Sequence, residues 1–143
     1  MQTAPERARP TTEAAAPRVL LVEDNPINMK LAKRLLERLG CRVDTAENGE
    51  EGVRMHQAGS YDAIFMDCQM PVMDGFEAAR RIREAGGEGP RLPIIAVTAN
   101  VLPDDQVRCF ASGMDDIITK PLQPNVFAEA LARWCGYRTP SAA

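Results

Sequence analysis

The stretch "AIFMDCQMPVMDGFE", residues 63–77, decides the fold. The apolar run Ala63-Ile64-Phe65-Met66 ends abruptly in Asp67, and Pro71, Asp74 and Gly75 follow within eight residues. Successive side chains of a strand point to opposite faces, so an unbroken apolar run is a strand covered on both sides, as in a parallel sheet. A carboxylate closing such a strand stands at the rim of the sheet. Pro71 and Gly75 shape the turn behind it, and Asp74 is placed to cap the next helix.

The same grammar recurs along the chain. Val19-Leu20-Leu21-Val22, Ile94-Ile95-Ala96-Val97 and Ile117-Ile118 are further apolar runs. Arg42-Val43-Asp44-Thr45 is more polar and belongs at an edge. A helix signal follows each run. Asn25 caps the first helix with Pro26 at its first position, Ile27, Leu31, Leu35 and Leu39 give its apolar stripe, and Gly40 stops it. Asn48-Gly49-Glu50-Glu51 opens a second helix through about Ala58. Phe76, Ala79 and Ile82 mark a third, ended by Gly86-Gly87. Pro103-Asp104-Asp105 starts a fourth, and Phe127, Ala130, Leu131 and Trp134 stripe a fifth. The order β-α repeated five times, with right-handed crossovers, predicts an α/β fold: a flavodoxin-like (βα)5 doubly wound parallel sheet of strand order 2-1-3-4-5. Residues 1–17, rich in Pro, Ala, Thr and Glu, read as a flexible linker or tail. Residues 18–136 form the domain, and 137–143 a short C-terminal tail.

Composition narrows the function. The 143 residues suit one domain, and a net charge of −3 gives no hint of a nucleic-acid-binding face. The basic cluster Arg80-Arg81-Ile82-Arg83 reads as a solvated helix face. Nothing after residue 136 is long enough for a DNA-binding output domain. No apolar stretch reaches the roughly 20 residues that cross a bilayer, and no signal peptide is visible, so a cytoplasmic setting is expected, with any membrane anchor left to a longer parent. The cysteines at 41, 68, 109 and 135 form no C-x-x-C pair and read as reduced thiols, Cys68 as local packing. The single histidine, His56, argues against a Ser-His-Asp triad or a His-rich metal site and reads as a surface residue.

The residues that close each strand are more informative. The first ends in Glu23-Asp24, the third in Asp67, the fourth in Thr98, and the fifth at Lys120-Pro121. Sites in open α/β sheets form beyond the carboxyl ends of the strands, where strand order reverses. With order 2-1-3-4-5 the three carboxylates converge there, with Thr98 and Lys120 alongside. Crowded carboxylates repel, and a divalent cation relieves this; all-oxygen ligation favours Mg²⁺ or Mn²⁺ over Zn²⁺. Lys120 and Thr98 then suit phosphate oxygens, and Asp67 suits a nucleophile that forms an acyl phosphate. The backbone carbonyl of Gln69 is a candidate further ligand. Taken singly, each residue reads as a turn former, a helix-start signal or a surface lysine. The site rests on all five meeting at one end of one sheet.

These residues resemble the response-regulator receiver domains of two-component signalling. "LLVEDNPIN", "IFMDCQMPVMDGFEA", "PIIAVTAN" and "GMDDIITKPL" occur in the family's order and separation, over about residues 18–136. The wording is most similar to receivers of hybrid sensor histidine kinases. The resemblance implies Asp67 as phospho-acceptor, with Asp24, Asp67 and the Gln69 carbonyl on Mg²⁺ and Glu23 acting through metal-bound water. It implies Thr98 as switch hydroxyl, Lys120 as phosphate contact, a cis bond between Lys120 and Pro121, and Gln69 and Asn100 as tuners of acyl-phosphate lifetime. Ile117 departs from the Tyr or Phe often found at its position, so rotation of an aromatic ring cannot be the signal here.

The expected function is a phosphoryl-accepting step in a two-component system or multistep phosphorelay, not a turnover enzyme. The donor is a phosphohistidine on a histidine kinase or histidine-phosphotransfer domain, because this chain carries no phosphotransfer helix. A downstream protein is expected at the surface of helix 4, strand 5 and helix 5. Two other classes compete. A Mg²⁺-dependent phosphohydrolase with an Asp nucleophile typically has a second Asp two residues on, where this chain has Gln69. An unphosphorylated pseudo-receiver usually lacks one of the acids or the lysine, all of which are present.

Overall fold

Strand and helix alternate five times: β1 (Arg18–Val22), α1 (Pro26–Arg38), β2 (Arg42–Ala46), α2 (Gly49–Ala58), β3 (Ala63–Asp67), α3 (Gly75–Gly86), β4 (Ile94–Thr98), α4 (Pro103–Ala111), β5 (Asp116–Thr119) and α5 (Pro124–Cys135). The computed structural model describes residues 16–68, 74–86, 92–98, 103–120 and 122–135. All strand pairs are parallel, and the sheet order is β2-β1-β3-β4-β5. The polar β2 lies at one edge, as its composition predicts, and β5 at the other.

The continuous apolar runs are buried on both faces. Leu20, Val22, Ile64, Met66, Ile94 and Ala96 point to one side, where α2, α3 and α4 cover them through residues such as Phe76, Ile82 and Cys109. Val19, Leu21, Ala63, Phe65, Ile95 and Val97 point to the other, against Leu35 and Leu36 of α1 and Phe127, Ala130 and Leu131 of α5. Phe65 and Phe127 meet edge to face at 5.2 Å.

The stripe expected for α1 is only half right. Leu35 is buried, but Ile27 is 77% and Leu31 43% exposed, and Ala32 and Leu36 take their place in the core. The reason is geometric. Four residues advance a helix by about 400°, so a strict four-residue repeat drifts about 40° per step and about 120° over three steps. Ile27 therefore cannot share a face with Leu39. The helix ends match the sequence signals. Asn25 Oδ1 accepts from the backbone N–H groups of Ile27 and Asn28, at 2.9 and 3.0 Å. Gly40, at φ 96°, donates to the Glu37 carbonyl and Cys41 to that of Leu36, the paired bonds that close a helix on a left-handed residue.

At the amino ends of β4 and β5, Arg83 of α3 forms a brace. Its guanidinium donates to the carbonyls of Gly113 and Leu92 and, at 2.6 Å, to Asp115 Oδ2, which also accepts from Ile94 N. This part of the expected solvated cluster is thus tied into the fold, whereas Arg80 and Arg81 pair at the surface with Glu77. His56 is half-buried, with its Nδ1 enclosed and lacking a hydrogen-bond partner, rather than fully at the surface. Of the tail expected at 1–17, residues 1–15 lie outside the described residues, and the Pro17 carbonyl accepts from Arg42 N at 2.8 Å.

Candidate functional site

Parallel pairing carries three strand ends to one rim. Val22 pairs with Met66 in register, so Glu23-Asp24 and Asp67 emerge side by side where the strand order reverses. One carboxylate oxygen from each of Glu23, Asp24 and Asp67 lies within 4.8 Å of the others. Glu23 and Asp67 are 2% and 5% exposed, and Asp24 faces solvent. Asp67 pairs in register with Val97, which places Thr98, also buried, at the next strand end. Lys120 N donates to the Thr98 carbonyl at 2.9 Å, and Lys120 Nζ lies 3.7 Å from Glu23 Oε1.

The electrostatics are unbalanced. Among the described residues three carboxylates, two of them nearly excluded from water, gather near the Lys120 ammonium. Crowding buried negative charge is costly, and a divalent cation held by hard oxygen ligands offsets it. The donor set fits Mg²⁺: carboxylates only, converging from two strand ends, with one side open to solvent at Asp24.

The local sequence holds the geometry. Asn25 N donates to Glu23 Oε2 at 3.2 Å, which orients that carboxylate. Asp74 Oδ1 accepts from Glu77 N at 2.9 Å, capping α3 as the sequence predicts. Gly75 N donates to the Cys68 carbonyl at 3.1 Å. A Cβ on Gly75 would collide with the carbonyl oxygen of Asp67 and lie 2.9 Å from Cys68 Cα. Gly75 therefore lets the start of α3 close against the strand end that carries Asp67. At the same rim, Arg108 of α4 stacks 4.1 Å over the Phe76 ring, with Asp74 at 3.9 Å.

The structure thus brings together Glu23, Asp24, Asp67 and Lys120, with Thr98 at the adjoining strand end. Ile117 lies apart from the carboxylates, half-buried against the α2–α3–α4 layer. Gln69, Asn100 and Pro121, and with Pro121 the expected cis bond, lie outside the described residues. Sequence reasoning missed the Asn25-to-Glu23 bond and the Arg108–Phe76–Asp74 contact. The first runs from a backbone N–H to the Glu23 carboxylate, a donor every residue but proline carries, and the second joins residues more than thirty positions apart.

A doubly wound sheet with three carboxylates and a lysine at its switch point defines a class of phosphoryl-accepting switch domains. The family model "Response regulator receiver domain" matches residues 19–132, and the chain belongs to that family. It is 43% identical over 122 residues to hybrid signal transduction histidine kinase L of Dictyostelium discoideum, a match covering 82% of this chain and 7% of that protein. The chain therefore spans only a small part of that relative. Among solved structures it is similar to the receiver domain of a sensor histidine kinase from Pseudomonas aeruginosa with magnesium coordinated in the active-site cleft. That likeness has a TM-score of 0.78 and 43% identity, and covers 85% of this chain and 98% of that one. It is also similar to a co-crystal structure of a histidine phosphotransfer signalling protein with the receiver domain of its downstream response regulator, from Saccharomyces cerevisiae. There the TM-score is 0.75 and the identity 31%, covering 83% of this chain and 88% of that one. The chain is a receiver domain, not a turnover enzyme. No helix among the described residues is long and apolar enough to cross a membrane.

Proposed function

We propose that Asp67 is the phospho-acceptor of this receiver, taking a phosphoryl group from a phosphohistidine on a histidine kinase or histidine-phosphotransfer domain. The carrying observation is the convergence of Glu23, Asp24 and Asp67 within 4.8 Å at the switch point of the sheet. One Asp67 carboxylate oxygen attacks phosphorus, the P–N bond to the donor imidazole breaks, and an acyl phosphate forms. The transition state gathers charge on the phosphoryl oxygens, so the protein's work is placement and neutralisation. Lys120, moving from Glu23, meets one oxygen and the Thr98 hydroxyl donates to another. Asp24 and Asp67 would hold Mg²⁺ directly, with the Gln69 carbonyl, and Glu23 through water; Mn²⁺ has the same ligand preference. The ion, when bound, screens the carboxylates from the incoming phosphoryl group. By the family resemblance, Gln69 and Asn100 would tune the lifetime of the acyl phosphate.

The exposed face of α1 offers the donor a surface. Ile27 and Leu31 form an apolar strip on α1 beside Asp24, and the donor must cover the rim there to bring its histidine to Asp67. The output surface is α4, β5 and α5, where Val107 and Phe110 are 67% and 52% exposed. Phosphorylation biases that surface between two states through Thr98, with Ile117 repacking in place of an aromatic ring. Both donor and output chemistry belong in the cytoplasm. The test is phosphoryl transfer from a phosphorylated histidine-phosphotransfer domain to the wild type and to Asp67→Asn. Transfer to the wild type alone supports the assignment, and equal transfer to both overturns it.

A further inference from the structure

We propose that Cys68 and Cys109 form a reversible disulfide, a redox modification site that ties α4 to the rim holding Asp67. The two Sγ atoms are 3.7 Å apart, though the residues are 41 positions apart in sequence. Both are buried, at 3% and 1% exposure, in the layer that packs α2, α3 and α4 on the sheet, and both are thiols. A disulfide needs the sulfurs at about 2.05 Å. Closing the gap brings the two sulfurs about 1.6 Å nearer than their 3.7 Å separation.

Two features make this pair more than packing. Cys68 follows the acceptor directly: its N–H donates to the Val97 carbonyl and its carbonyl accepts from Gly75 N, so its backbone forms the wall between β3 and α3. Cys109 is the one buried side chain of α4 among the described residues, while Gln106, Val107, Arg108, Phe110 and Ala111 are exposed. A helix anchored by so little buried surface opens locally at low cost, which admits an oxidant to both thiols. The other two cysteines, Cys41 and Cys135, belong to the opposite layer with α1 and α5, where burial and then Asp62 push both thiols up to about 12.

The oxidant is a hydroperoxide. One thiol sulfur attacks hydrogen peroxide, the O–O bond breaks, and a sulfenic acid and one water result. The second sulfur attacks the sulfenic sulfur, the S–O bond breaks as the S–S bond forms, and the hydroxyl leaves with the second thiol's proton as water. The sulfurs lose two electrons, and one peroxide becomes two waters. Dithiothreitol reverses the change. Bonded to the β3 end, α4 is held in one of its two states, and Asp67 is harder to phosphorylate. That consequence rests on the receiver reading; the bond itself does not.

The test treats the full chain with hydrogen peroxide, then reads intact mass, thiols titrated after denaturation, and the initial rate of phosphorylation by acetyl phosphate with Mg²⁺. The expected result is a loss of about 2 Da and a fall from four thiols to two. A Cys68–Cys109 linked peptide is expected, with phosphorylation at least about fivefold slower and restored by dithiothreitol. Cys109→Ala should abolish the linked peptide and the slowing, and the wild type before and after dithiothreitol makes the same comparison without any substitution. Oxygen adducts instead of a link, or a Cys41–Cys135 link, overturn the proposal. So does a Cys68–Cys109 link that leaves the rate unchanged, since the bond would then control nothing. If the reduced protein takes up no phosphoryl group, the acceptor assignment fails, and the mass and peptide map still decide the bond.

Discussion

Asp67 owes its position to the residue that closes on it. Gly75 is required because a Cβ there collides with the Asp67 carbonyl. Gly75→Ala should destabilise the fold by about 1–3 kcal/mol, read as a lower urea midpoint at unchanged slope, and should slow phosphorylation more than its stability loss explains. Wild-type behaviour on both counts would show that α3 starts with room to spare. Asn25 has two jobs in two different groups. Its side chain caps α1 while its backbone N–H orients Glu23. Asn25→Ala should therefore cost about 1 kcal/mol of stability and leave Mg²⁺ affinity nearly intact. A large loss of affinity would move the side chain itself into the site.

At the scale of the element, α1 has a face buried in the core and a face left exposed. Leu36 is fully buried, so Leu36→Ala should cost about 2–5 kcal/mol. Ile27 is 77% exposed, so Ile27→Ala should stay within about 0.5 kcal/mol of the wild type. The same change should slow phosphoryl transfer from a histidine-phosphotransfer protein while leaving uptake from acetyl phosphate unchanged, because only the protein donor covers the helix. Equal slowing with both donors would place the effect in the site rather than on the surface. α4 is the contrasting case. Cys109 alone among its described side chains reaches the core, and Arg108 holds it to Phe76 and Asp74. A helix seated this lightly is suited to change state.

The whole molecule responds to its ions and to pH. Glu23, Asp24 and Asp67 are held together only when folded, so Mg²⁺ should stabilise the native state. At a hundredfold excess over Kd the gain is about 2.7 kcal/mol, read as a rise in thermal midpoint that Asp24→Asn abolishes. His56 acts in the opposite part of the molecule. Burial, and then Arg83, hold its pKa below 6.5. The folded state thus disfavours the proton that the unfolded chain accepts, and the stability present above pH 6.5 is lost as pH falls toward the folded value. Midpoints measured between pH 7.5 and about 5.5 should fall more steeply in the wild type than in His56→Gln. Parallel slopes would mean that His56 is protonated with equal ease in both states.

Much of this architecture is legible in the chain. Unbroken apolar runs announce strands buried on both faces, and a charged residue ending such a run can only lie at the rim, so Asp67, Glu23 and Asp24 can be placed without coordinates. The features that the sequence hides depend on distance or angle. The exposure of Ile27 and Leu31 comes from helical drift, which an evenly spaced stripe conceals. The Arg83 brace, the Arg108–Phe76 stack and the Cys68–Cys109 contact join residues whose adjacency exists only after the sheet has been wound.

The most direct measurement is the intact mass of the protein after acetyl phosphate with and without Mg²⁺, for the wild type and for Asp67→Asn. The account predicts one hydroxylamine-labile phosphoryl adduct on the wild type, dependent on Mg²⁺ and absent from the variant. An adduct that persists in Asp67→Asn, or that forms equally well without a divalent ion, would contradict it.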